Sequence, residues 1–352
     1  MSIQDKRVTV NARSIKIGHL KNRLIPEIDK FEGIVQSIFL RLGDLGVNKA
    51  LFNRISLSLA LLSDLGITVT IGKGDVTFSL PGRELTFEIP NNSASLSNLL
   101  QLTLSGASWG FEVIPSGYSP LSNKFVTIER EIMKIYDGST FYLADVDPWV
   151  ITETYFLKTH DNFCFGGKVV LDVGAAFGDT AVRFAKAGAT GIAVEPANFD
   201  QLIRNLNLND IGSGKVIPLN VAAGIDGSVE IEVVSGSSFD GNARISGVNT
   251  KHSNKRIKVP GMSIKNIIGK AGLDSVDYLK SDCKGCESYF SKDDFDLIRE
   301  GVEIECDVNN SEFVLKALKS SGFETCMWHY NGANYESLRD VGTIVARRKG
   351  RE

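Results

Sequence analysis

Apolar and polar residues change their period twice along this chain. From Gly33 to Leu65 the apolar positions recur at three and four residues, with glycines between segments, a pattern that predicts two or three helices. Over 67–89, ITVTIGKGDVTFSLPGRELTFEI, they alternate one by one around Gly-Lys-Gly-Asp and Pro-Gly-Arg-Glu, which predicts a three-stranded antiparallel meander. A Ser-, Asn-, Gly- and Pro-rich stretch, including PSGYSPLSN at 115–123, reads as a linker. After residue 165 the rhythm becomes strand, helix, strand. KVVLDV (168–173), TGIAVE (190–195), KVIPLNVA (215–222), VDYLKSD (276–282), VEIECDV (302–308), ETCMWHY (324–330) and GTIVARR (342–348) are the strands. DTAVRFAKAGA and NFDQLIRNLNLN are helices between them, the second with Phe199, Leu202, Ile203 and Leu206 on one face. Such alternation predicts a doubly wound α/β sheet with a ligand crevice at the carboxyl ends of its strands. The expected division is a small α+β accessory module over 1–125, a connecting segment over 126–164 and a ligand-binding domain over 165–352.

Composition narrows the class without naming a chemistry. With 352 residues, 43% hydrophobic, 23% charged and a net charge of -3, the chain reads as an ordinary globular protein whose overall charge implies no polyanion partner. The start, MSIQDKRVTV, lacks an apolar leader, and no window approaches the roughly 18 uninterrupted apolar residues of a membrane span, so a cytoplasmic location is expected. Five cysteines, Cys164, Cys283, Cys286, Cys306 and Cys326, do not form the even set of a secreted disulfide framework. The first 30 residues carry seven Lys and Arg against three Asp and Glu, either a solvated face or a phosphate-contacting arm. Walker-type, HExxH and GxSxG motifs are lacking, which leaves nucleotide hydrolysis and the commonest hydrolase chemistries without support.

The most informative stretch is VVLDVGAAFGDTAVRF, an apolar strand running into Asp172-x-Gly174-x-x-x-Gly178 and then a helix. Glycines let a backbone approach a ligand, and the N–H groups of a helix start attract an anionic group. A dinucleotide fingerprint would run straight into G-x-G-x-x-G, whereas here an acid sits inside the turn and suits a cationic ligand. Glu195, 23 residues after Asp172 at the end of the next strand, is placed to take both hydroxyls of a ribose. A ligand with a ribose, a positive centre and a carboxylate is S-adenosylmethionine. This stretch, continued through GATGIAVEPANFDQLIRNLNLN and followed in order by VIPLNVAAG and VDYLKSDCKGCE, resembles the successive motifs of the FkbM family of class I S-adenosylmethionine-dependent methyltransferases, over roughly 165–325. The resemblance implies a seven-stranded sheet with an antiparallel last strand and methyl transfer to an oxygen or nitrogen. It also implies that Asp172, Gly174, Ala176 and Gly178 form the methionine-side loop, that Glu195 binds the ribose, that Asn220 and Ala222 lie near the adenine, and that Asp282 closes the floor below the methyl group.

LKSDCKGCE, at 279–287, departs from the family pattern K-x-D-x-E-G-x-E: Lys284 replaces the first glutamate, while Lys280, Asp282, Gly285 and Glu287 keep their places. Asp282 and Lys284 are the candidate catalytic residues. Lys284 reads either as an ion-pair partner of Asp282 or Glu287, or, if neutral, as a base. Cys283 and Cys286 have the spacing of a zinc or redox half-site, and Cys306 and Cys326 could complete four thiolates. The last two should differ in height along the sheet, so the expectation is no metal and cysteines that merely pack in a glycine turn. The segment 234–258, ending in Lys251, Lys255, Arg256 and Lys258, reads as a solvated loop or a lid able to meet phosphates. The resemblance implies a glycan or small-metabolite acceptor; the lid and the extra module keep RNA, including tRNA, as the alternative acceptor. A non-catalytic S-adenosylmethionine-binding or RNA-binding protein is a further alternative, motivated by Lys284. Oligomeric state is not legible.

Overall fold

Val76, Phe78, Leu85 and Phe87 alternate with half-exposed or exposed neighbours, and burying these four on one face fixes the expected meander. In this computed structural model, which describes residues 8–10, 49–72, 74–89, 92–233, 244–245, 255–329 and 341–350, the chain divides into two compact units, Met1–Phe156 and Leu157–Glu352. In the first unit β1 (Val8–Val10), β2 (Thr68–Ile71), β3 (Asp75–Leu80) and β4 (Arg83–Glu88) form one antiparallel sheet in that order. The helix Lys49–Asp64 lies in the region expected to be helical; residues 33–48 of that expectation, like the basic stretch before them apart from β1, lie outside the described residues. A second sheet follows the helix Ser93–Trp109. It comprises β5 (Glu112–Pro115), β6 (Phe125–Glu129), β7 (Ile132–Ile135) and β8 (Thr140–Tyr142). PSGYSPLSN therefore joins two strands of one sheet, because β5 and β6 pair in parallel and need a connection long enough to return.

The second unit begins its main sheet with β9 (Val169–Val173), β10 (Thr190–Val194) and β11 (Val216–Leu219). It then adds a side sheet from β12 (Ala222–Ala223), β13 (Gly227–Val233), β14 (Arg244–Ile245) and β15 (Lys255–Met262), and returns with β16 (Val276–Ser281), β17 (Ile298–Asp307), β18 (Phe323–His329) and β19 (Val341–Arg348). The main sheet has the order β11-β10-β9-β16-β17-β19-β18. Its first five members run parallel, and β19 lies antiparallel between β17 and β18. This is the doubly wound seven-stranded sheet with a reversed last strand that the sequence led us to expect.

The side sheet corrects the expectation of a loop through 258. Lys255–Met262 pairs antiparallel with all of β13, and Arg256 meets Glu232 at 3.1 Å, so that part of the basic run is held in a strand. Residues 234–243 and 246–254, with Lys251, lie outside the described residues.

Candidate functional site

Strand order reverses where β9 meets β16, because β10 and β11 lie on one side and β17 to β19 on the other. Crossover connections leave both ways from that point, and the gap at the carboxyl ends of the strands is where such sheets bind ligands. On one face of β9, β16 and β17 the sheet register stacks residues in three tiers, the last of them at the carboxyl ends of β9 and β16. Val170, Tyr278 and Gly301 are paired across β9, β16 and β17, and on them rest Phe163, Phe165 and Phe184. Two residues further along, Asp172, Lys280 and Glu303 are paired. Two further again come Gly174, Asp282 and Glu305. Period-two alternation keeps all three tiers on one face.

The middle tier is a buried ion row. Asp172, Lys280 and Glu303 are 2%, 7% and 5% exposed, low enough that each charge must find its partners inside the protein. Lys280 Nζ lies 3.1 Å from Asp172 Oδ1 and donates to the Gly174 carbonyl at 3.0 Å, while Asp172 Oδ2 accepts from Thr180 Oγ1 at 2.6 Å. Burial opposes the Lys280 charge, but the carboxylates of Asp172, Asp282 and Asp179 outweigh it and hold the ammonium above the usual lysine range. Asp172 thus ties the glycine loop to the neighbouring strand and helix. Glu303 accepts from Asn162 Nδ2 at 2.8 Å and pairs with His160 Nδ1 at 2.6 Å. Burial lowers the affinity of His160 for a proton, but the bond to Glu303 and its charge overcome this and raise the imidazole above its ordinary value.

The top tier shapes the crevice floor. Gly174 has φ +75, and a Cβ there would fall 2.1 Å from the Asp282 carbonyl oxygen, so only glycine lets the loop lie on this strand end. Lys284 Nζ reaches Asp282 Oδ1 at 2.7 Å and Glu305 Oε1 at 2.5 Å. The second carboxylate of the Lys284 cluster is Glu305 of β17; Glu287 turns back to accept the Gly285 N–H at 2.8 Å. Burial pushes the Asp282 carboxyl up, yet the charges of Lys284 and Lys280 prevail and hold it below the usual carboxylate range. For Lys284 burial disfavours the cation, but Asp282 and Glu305 raise it well above the ordinary lysine value. A neutral Lys284 acting as a base does not fit this arrangement.

Toward β10 the glycine loop wraps a second acid. Glu195, 5% exposed, accepts N–H bonds from Ala176 at 2.9 Å on Oε2 and from Ala197 and Asn198 at 2.7 and 2.9 Å on Oε1. Burial raises its pKa, only partly offset by those three donors. Ala176 is held at φ 48, and Gly178, at φ 93, precedes the helix Asp179–Lys186 and offers it no side-chain cap hydrogen bond. Asn205, from the helix Phe199–Leu208, holds the loop by donating to the Phe177 carbonyl at 2.8 Å. Asn220 is exposed just beyond β11, and Ala222 is buried with Val229, Ile231 and Val259 in the side sheet.

Cys283 and Cys286 differ from the packed thiols expected: they are joined in a disulfide, their Cα atoms 5.5 Å apart, within the span such a bond requires. Lys284 at φ 52 and Gly285 at φ 123 fold the turn tightly enough for this. Among the described residues, the group with metal-ligand spacing is Cys283, Cys286 and Glu287, whose ligand atoms lie within 4.8 Å of one another, and here its two sulfurs are bonded together. Cys306 is 2% exposed and belongs to the apolar core. Sequence reasoning missed His160, Glu303 and Glu305. An alternation signal for the two glutamates was present in VEIECDV, whereas nothing local marks His160.

Residues 172–323 match the family model described as the methyltransferase FkbM domain. Among solved structures, the chain is similar to the ribosomal protein L11 methylase from Lactobacillus delbrueckii subsp. bulgaricus, at 12% identity over 67% of this chain and 94% of that one, with a TM-score of 0.38. It is also similar to magnesium protoporphyrin IX methyltransferase from Synechocystis PCC 6803 with bound S-adenosylmethionine, at 10% identity over 57% and 78% with a TM-score of 0.32. A third is a putative RNA methyltransferase from Pyrococcus horikoshii, at 16% identity over 57% and 79% with a TM-score of 0.30. No curated protein matches the chain.

Proposed function

We propose, from the match of residues 172–323 to the methyltransferase FkbM domain, that the protein transfers a methyl group from S-adenosylmethionine to a hydroxyl oxygen of an uncharged, polyhydroxylated acceptor, a glycan or small metabolite. The residues present fit the cofactor. The helix start after Gly178 suits its carboxylate, and Asp172 and Asp179, which flank the glycine loop, suit its positive centre. Glu195 Oε2 takes one N–H bond and retains acceptor capacity for ribose hydroxyls. When bound, S-adenosylmethionine supplies an electrophilic methyl carbon.

The observation that carries the acceptor class is the charge of the site. Asp172, Asp179, Glu195, Asp282, Glu303 and Glu305 stand against Lys280, Lys284 and His160. Such a site repels a phosphate and accepts hydrogen bonds from hydroxyls. In this reading Asp282, kept ionised by Lys284 and Lys280, accepts the acceptor's hydroxyl proton and aims the oxygen lone pair, while Glu305 offers a second acceptor beside it. Lys284 anchors both carboxylates. Lys280 and Asp172 hold the floor against the glycine loop.

The test separates binding from transfer. Asp282→Asn should keep S-adenosylmethionine affinity within about threefold by calorimetry, yet lower transfer of labelled methyl into a cell extract by about a hundredfold or more, the scale of a lost general base. Undiminished transfer by this variant would remove Asp282 from the reaction.

A further inference from the structure

The Cys-x-x-Cys turn is used by none of this chemistry, yet it adjoins all of it. One end is fixed on the glycine loop, since the position of a Gly174 Cβ is 2.1 Å from the Asp282 carbonyl oxygen and 3.3 Å from Cys283 N. The other end is fixed in the core, where Cys286 is 1% exposed. Between them Lys284 takes a left-handed backbone conformation that side-chain-bearing residues rarely adopt, and from it reaches Asp282 and Glu305. Glu287, itself buried, accepts the Gly285 N–H at 2.8 Å and lies 3.6 Å from Cys283 Sγ. The disulfide therefore closes a small ring around the residue that clamps the two carboxylates of the floor.

We propose that Cys283 and Cys286 form a reversible thiol–disulfide site, exchanging with small-molecule disulfides of the glutathione class, and that its oxidised form fixes the crevice floor for cofactor binding. The second clause rests on the methyltransferase reading. Oxidation begins at Cys283, which is partly exposed, whereas Cys286 is buried. The Cys283 thiolate attacks one sulfur of the external disulfide and displaces one thiol, leaving a mixed disulfide. Cys286, losing its proton, then attacks the Cys283 sulfur and displaces the second thiol. Two protein thiols are oxidised by two electrons, and one external disulfide is reduced to two thiols. Reduction runs the same steps backward. It opens the ring, frees Lys284 to leave its left-handed conformation, and loosens the strand end on which Gly174 lies.

The full chain is equilibrated in buffers from fully reduced to fully oxidised glutathione, alkylated and peptide-mapped, and S-adenosylmethionine binding is measured by calorimetry at both ends of the series. The expected result is protection of Cys283 and Cys286 together in one transition, with cofactor bound about five- to tenfold more weakly by the reduced form. The Cys283→Ser/Cys286→Ser double variant should bind at the reduced-form affinity in every buffer; if it does not fold, the wild-type series decides alone. Alkylation of both cysteines in all buffers overturns the exchange site. Affinities equal within about twofold in the two states, or a double variant that follows the wild-type change, overturn its link to the crevice. No cofactor binding in either state, with a normal exchange transition, supports the exchange site and contradicts the methyltransferase reading instead.

Discussion

Glu195 and Gly174 hold the same loop by opposite means, one by accepting hydrogen bonds and the other by having no side chain. Glu195→Ala removes the acceptor for the Ala176 N–H along with the acceptor we propose for the ribose, and S-adenosylmethionine binding should weaken by about 1.5 to 3 kcal/mol by calorimetry. Gly174→Ala puts a methyl group into the Asp282 carbonyl at a positive φ; urea unfolding should show a loss of about 2 to 4 kcal/mol, combining backbone strain with overpacking. His160 offers a test by pH. It faces Glu303 on β17, Lys280 on β16, Asp179 at the helix start and Asp282 above, and its pKa is raised from 6.5, so the folded state binds its proton more tightly than the unfolded chain. That stabilisation is complete below the ordinary histidine range and fades as pH rises through the raised value. Thermal melts from pH 6 to 9 should therefore fall less steeply for His160→Gln than for wild type; identical slopes would show that His160 takes no part. Asp172, Gly174, Gly178 and Glu195 could be picked out in the sequence because glycine spacing and strand ends are local signals. His160 could not, since it meets Glu303 across 143 positions of chain.

At the scale of elements, the site is a consequence of register. Asp172, Lys280 and Glu303 come from three strands and meet only because β9, β16 and β17 are aligned as they are. A lysine removed from such a buried row leaves a carboxylate unpaired. Lys280→Met should cost about 3 to 5 kcal/mol in urea unfolding, and adding Asp172→Asn should restore part of the loss rather than add to it. Simple additivity would mean that the two charges do not interact. All seven strands of the main sheet were legible from their apolar runs. Their acids were harder to interpret: in VEIECDV the inward Val302, Ile304 and Cys306 are core, and the alternate Glu303 and Glu305 look like a solvent face when they in fact line the crevice side. The side sheet was missed beyond β12 although GSVEIEV alternates, because its partner strand follows a polar stretch that reads as loop.

For the whole molecule, Asp172, Gly174, Gly178, Glu195 and Asp282 all belong to the second compact unit, Leu157–Glu352, and we propose that this unit binds the cofactor. Residues 157–352 expressed by themselves should bind S-adenosylmethionine within about twofold of the full chain. A large loss would assign part of the crevice to residues 1–156. We propose that the acid-rich floor of Asp282 and Glu305 directs methyl transfer to uncharged hydroxyl groups. The most direct test of this claim is transfer of tritiated methyl from S-adenosylmethionine by the full chain into a cell extract divided into RNA, protein, glycan and small-metabolite fractions, with ribonuclease-treated controls. The account predicts counts in neutral glycan or small hydroxylated metabolites, unaffected by ribonuclease and lost with Asp282→Asn. Counts confined to ribonuclease-sensitive material, or no counts in any fraction while cofactor still binds, would contradict it.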